Sequence, residues 1–169
     1  AGLFVPTYAL WEDDDPLPSF GHLAALTARA PSLGIDVVAT LPLYAGCFDD
    51  PFDPSPYAPN SRFHWNEVLL EDASLPPADD VALAPGDLID WRALAARRRE
   101  QLIAAARDLD ATTAGAVEQF VASRPDVVDY ARFRAGRDRS GHPEALVERS
   151  HVLAQHLCHR QLSAVEQPG

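Results

Sequence analysis

Carboxylates are the most abundant groups in this chain that can move a proton or attack a carbon centre. Retaining glycoside chemistry needs two of them about 5 Å apart across one sugar ring. By position, residues 12–15 and Asp49, Asp50 and Asp53 qualify, because each set follows an expected strand. Their spacing singles out no pair, and acidic loop tips ordinarily just face water. His151, His156 and His159 share one expected helix, without the H-E-x-x-H spacing of a zinc helix. Surface positions or hydrogen bonds between helices are therefore expected of them. Ser55, Ser61 and Ser140 lack the G-x-S-x-G turn of a serine nucleophile. No G-x-G-x-x-G or G-x-x-x-x-G-K-[ST] pattern occurs, so nucleotide binding has no support. The residues alone thus name no catalytic group and no metal ligand.

Residues 44–66 hold more promise. Tyr44, Phe52, Tyr57, Phe63 and Trp65, with Tyr8 from upstream, offer flat apolar faces. Ser55, Asn60, Ser61, Arg62, His64 and Asn66 interleave directional hydrogen-bonding groups. Sugars present apolar ring faces inside a rim of hydroxyls, so the mixture suits a carbohydrate. The same aromatics would equally pack the loop onto its own scaffold. Long loops are usually functional or disordered, and the aromatics favour an ordered one.

The elements that must carry this loop follow from the apolar pattern. Residues 2–9 and 35–43 read as strands, and the continuous apolar run of the second suits a parallel strand buried on both faces. Between them, Ser19 caps a helix over 19–33 bearing Leu23, Leu26, Ala30 and Leu33, which Gly34 stops. This is a right-handed βαβ unit with its helix over the strands. Residues 66–71 read as a third, short strand, and 72–87 as a Pro- and Asp-rich connector. Helices then begin at Asp90, at Thr112 or Thr113, at Pro125 and at Pro143, with Gly136 ending the third.

Composition sets outer bounds. The chain has 169 residues, with 14 Lys and Arg against 25 Asp and Glu, for a formal charge of −11. Such a balance disfavours nucleic acid and anionic membranes, which attract basic surfaces. No apolar run reaches the roughly 18 residues of a membrane span. Cys47 and Cys158 have no ligand-like spacing, so a reducing cytoplasm is the expectation. Absence of Met and 15 prolines, most before residue 78, suggest a piece of a longer polypeptide.

Leu41-Pro-Leu43, the stretch Pro54-Ser-Pro-Tyr-Ala-Pro-Asn-Ser-Arg62 and Phe63-His-Trp-Asn66 resemble the N-terminal part of the 4-α-glucanotransferase family. This is the amylomaltase or disproportionating-enzyme family, glycoside hydrolase family 77. Gly2-Leu-Phe-Val-Pro6 is similar to its first barrel strand, and 129–133 and 151–162 to its later helices. The resemblance implies an α/β fold, the first strands of a (β/α)₈ TIM barrel with a helical insertion segment. Residues 1–71 would hold the first β/α units with the substrate loop 44–66, and 72–169 the connector and helical region, in one incomplete domain. It implies retaining transfer of α-1,4-glucan units between maltooligosaccharides, with no cofactor. Ser55 and Tyr57 would line sugar subsites, with Asn66 matching a family asparagine. Glu67 departs from the family where many members have Pro, and Pro54 where an acidic residue is common. The family's nucleophilic Asp, acid/base Glu and stabilising Asp lie on later strands that match nothing here, so the segment alone is expected to be inactive. A non-catalytic glucan-binding or protein-interaction module on a degenerate barrel scaffold is the alternative.

Overall fold

A computed structural model describes residues 1–11, 17–46, 48, 49, 51–76 and 89–166. The acidic tip 12–15, Cys47, Asp50 and connector residues 77–87 lie outside the described residues. The strands β1 (Gly2–Phe4) and β2 (Val37–Ala39) pair in parallel, with Gly2, Leu3 and Phe4 opposite Val37, Val38 and Ala39. Between them runs helix α1 (Phe20–Arg29), continued by a 3₁₀ turn to Leu33. Ser19 Oγ accepts from the His22 N–H at 3.2 Å, and Gly34 ends the run at φ 70°. A side chain at Gly34 would be strained in that left-handed conformation.

Three local expectations need correction. Both strands are shorter than the apolar runs that contain them. Val5 N–H still donates to Ala39 at 2.9 Å, but Pro6 has no N–H and the chain turns into a 3₁₀ turn at Thr7–Ala9. The strands are not buried on both faces: Leu3 and Val38 are half-buried, whereas Phe4 and Val37 are 62% and 61% exposed. Nor does α1 lie mainly over them, since its principal partner is the last helix.

The expected third strand at 66–71 is instead a 3₁₀ turn, Glu67–Leu69. Asn66 Oδ1 accepts from the Val68 N–H at 3.1 Å, a local bond that competes with any sheet ladder. The buried Val68, Leu69 and Leu70 then point into the helical core.

Four helices follow: α2 (Trp91–Arg107), α3 (Ala111–Ser123), α4 (Asp126–Arg137) and α5 (Glu144–Glu166). Asp90 caps α2, and α3 is capped by Asp110, ahead of the expected threonines. Gly136 lies inside α4, which ends one residue later. Helix α5 touches α1, α2, α3 and α4 and is the axis of the molecule. The main core joins Phe20, Leu69 and Leu70 from the first half to Leu102, Leu153 and Leu157 from the second. Each such side chain contributes about 1.5–3 kcal/mol on burial. Among the described residues no helix is long and apolar enough to cross a membrane.

Candidate functional site

The loop 44–66 is folded back on itself. Tyr44 and Trp65 form an antiparallel bridge at its neck, with rings stacked at 6.1 Å. Ala45 N–H donates to His64, Asn66 N–H to Leu43, and Asn60 Nδ2 crosses to the Gly46 carbonyl, at 2.8, 2.9 and 2.9 Å. Gln155 of α5 holds the far side. Its amide accepts from Trp65 N–H and donates to Trp65 O, both at 2.9 Å, as a neighbouring strand would.

At the tip, Asp53 Oδ1 accepts from Ser55 N–H at 2.9 Å and Ser55 Oγ accepts from Tyr57 N–H at 3.3 Å. These side-chain turns, with prolines at 54, 56 and 59, fix the backbone that presents Tyr57. The aromatics accordingly divide. Tyr44 and Trp65 brace the neck, and Phe52 sits by Phe48 beneath the Arg92 guanidinium. Tyr57 and Phe63 face outward, 71% and 79% exposed.

A cleft of about 50 Å³ opens where both strands end. Thr7 and Tyr8 follow β1, Leu41, Pro42 and Leu43 follow β2, and a 3.0 Å bond between the Thr7 and Thr40 hydroxyls joins the two sides. Pro54 and Pro56 of the loop, Asn66, Leu69 and Trp91 complete the wall. Of the residues expected at a site, Asn66 lies in the wall, Ser55 between its two prolines, and Tyr57 just beyond Pro56. Asn66 Oδ1 is used by its own turn, and among the described residues its Nδ2 has no partner. Trp91, directly after the cap Asp90, packs partly buried against the cluster of Phe48, Val68, Leu94 and Ala95 and also lines the cleft, a second role that nothing in its sequence position signals. Among the described residues of the wall none is a carboxylate.

Behind the cleft, Glu67 and Asp49 meet a buried cation. Arg134 lies 3.0 Å from Glu67 Oε1 and 3.4 Å from Asp49 Oδ2, and donates to Tyr130 Oη at 2.7 Å. Burial acts to lower its pKa, but Glu67, Tyr130 and Asp49 hold it above the ordinary arginine value. Arg99 bridges Asp49 and Asp138 at 3.1 and 3.3 Å. His151 is buried at the edge of this network, and burial, then Arg134 and Arg99, push its pKa well down. Asp49, weighed as a catalytic carboxylate by position, is thus held in ion pairs. Among the described residues no group of three or more His, Cys, Asp and Glu is placed to hold a metal.

The family model for 4-alpha-glucanotransferases, glycoside hydrolase family 77, matches residues 5–167. The chain belongs to that family. Its structure is also similar to the crystal structure of amylomaltase from Corynebacterium glutamicum, with a TM-score of 0.81 at 20% identity. The match covers 97% of this chain and 27% of that one, so the chain spans about a quarter of the amylomaltase. No curated protein matches the sequence significantly. In this chain the ends of the parallel pair, the loop after β2, Leu69 and Trp91 meet at the cleft.

Proposed function

We propose that the chain is the N-terminal portion of a 4-α-glucanotransferase, forming the first β/α units of a (β/α)₈ barrel and part of its sugar-binding wall. One observation carries the reading: the loop with Ser55, Tyr57 and Asn66 meets the C-terminal ends of two parallel strands, with Tyr8 and Trp91 alongside. Barrel enzymes assemble their sites at that end because the strands deliver the loops there. Tyr57 offers a ring for a glucose face, and Ser55 and Asn66 offer hydroxyl and amide groups to the sugar rim. In the intact enzyme the nucleophile and acid/base carboxylates come from later strands. The activity proposed for the whole is retaining transfer of α-1,4-glucan segments between maltooligosaccharides.

Two measurements on this chain test the reading. Titration with maltoheptaose should quench tryptophan fluorescence, and the change should disappear in Trp91→Phe. Absence of any saturable change would overturn the subsite assignment. Incubation with maltotriose should release no glucose above a protein-free control, because the reaction needs two carboxylates and none is among the described residues of the cleft wall. Glucose release from material free of host enzyme would contradict that division of labour.

A further inference from the structure

Both arms of the loop 44–66 run into one side chain. Asp49 stands on the outgoing arm, and Glu67 directly follows Asn66 at the end of the returning one. Arg134, in the last turn of α4, meets both carboxylates. Its Nε lies 3.4 Å from Asp49 Oδ2 and its Nη1 lies 3.0 Å from Glu67 Oε1, with all three side chains less than a tenth exposed. The same Nη1 donates to Tyr130 Oη at 2.7 Å, and the Tyr130 ring stacks on His64 of the returning arm, centroids 4.0 Å apart. A second guanidinium, Arg99 of α2, pairs with Asp49 Oδ1 at 3.1 Å and with Asp138 Oδ2 at 3.3 Å. The frame that carries these cations is packed: Ala135, next to Arg134, joins Ile103 of α2 and Val147 of α5 in one buried cluster.

Ion pairs are a poor choice here for stability alone. Desolvation offsets most of their attraction, and apolar side chains of similar volume often stabilise a buried site as well or better. What a planar guanidinium adds is direction, because its N–H groups point along fixed lines and hold two carboxylates at a set separation. In this chain those carboxylates belong to opposite arms of one loop. Three backbone bonds cross between the arms: Ala45 N–H to His64 O, Asn60 N–H to Ala45 O and Asn66 N–H to Leu43 O, at 2.8, 2.8 and 2.9 Å. We propose that Arg134 is a clamp across the base of the loop, a positioning residue that sets the spacing of the two arms and so the place of Asn66 in the cleft wall. Lysine cannot replace it, since an ammonium on a flexible stem lacks the fork that meets both carboxylates. The clamp deepens the glucan reading, and only its effect on sugar binding rests on that reading.

Amide exchange of the whole chain, compared between wild type and Arg134→Lys at neutral pH, tests it. The cross-arm amides of Ala45, Asn60 and Asn66 should lose protection by roughly tenfold or more, while amides in the middle of α5 keep theirs. A residue that merely stabilises the fold would lower both sets together, because core amides exchange through global unfolding. Parallel loss, or no loss at the cross-arm amides, would overturn the clamp. Should Arg134→Lys fail to fold, Glu67→Gln keeps the shape of one partner and removes its charge. The same three amides should then lose roughly threefold or more with α5 unchanged, and protection equal to wild type or a parallel loss would equally sink the proposal. Maltoheptaose titration is read separately. Unchanged affinity in a variant with a loosened loop would refute the placing of Asn66. A chain that binds no sugar yet shows the loop-selective loss defeats the glucan reading and keeps the clamp.

Discussion

Gln155 and Tyr57 sit at opposite ends of the same loop system and answer different questions. Gln155 is 2% exposed and spends both ends of its amide on the Trp65 backbone. Gln155→Ala leaves a part-buried N–H and C=O without partners, and should cost about 1–3 kcal/mol in urea denaturation. Gln155→Glu should fail to rescue, because a carboxylate has no donor for the Trp65 carbonyl. Tyr57 is the reverse case. With its ring 71% exposed, Tyr57→Ala should leave Tm almost unchanged. If the ring stacks on glucose, the same variant should weaken maltoheptaose binding by about 1 kcal/mol, roughly fivefold. Tyr57→Phe should then retain most of the affinity. A Tm drop with unaltered binding would instead make Tyr57 a scaffold residue.

At the scale of elements, α2 is the one that links helical packing to the cleft. Asp90 Oδ1 accepts from the N–H groups of Arg92 and Ala93, each at 3.0 Å, and Trp91 begins the helix at the cleft wall. Asp90→Ala should destabilise the chain by about 1 kcal/mol, and Asp90→Asn by much less, since both Asp and Asn cap well. Heat denaturation of the three proteins checks this. An equal loss for both variants would put the stabilisation in charge rather than in the cap. The third expected strand failed at this same scale. A short apolar run such as Val68-Leu69-Leu70 fits strand or turn equally, and Asn66 resolves the ambiguity by bonding to its own backbone.

For the molecule as a whole, buried histidines set the response to acid. Burial lowers the pKa of His64, His151 and His156 below the ordinary 6.5. The unfolded chain then binds more protons than the folded one as pH drops beneath that value. Stability from these groups is therefore complete above about pH 6.5 and declines as pH falls through their folded pKa values. The urea midpoint should be lower at about pH 5 than at about pH 7.5, and a flat or rising midpoint would contradict the assignment. His151→Gln should blunt the decline most, because its pKa is pushed well down by burial beside Arg134 and Arg99.

Much of this molecule was legible in the residues themselves. The βαβ order, the Ser19 cap, the Gly34 stop and the start of α2 all follow from short-range rules: periodicity, capping oxygens and the glycine-permitted φ. The family, too, was legible, because a run such as Ser55-Pro-Tyr57 through Ser61-Arg62 is local in sequence. Tertiary structure alone decided which aromatics turn inward, that Trp91 reaches the cleft, and that Glu67 meets Arg134 across 67 positions of chain. It also decided that Gln155 serves as a strand for Trp65 and that His64 meets Asp126. Those pairings depend on where α4 and α5 settle against the loop. A buried charge or amide looks like a surface residue in sequence until its distant partner is in place.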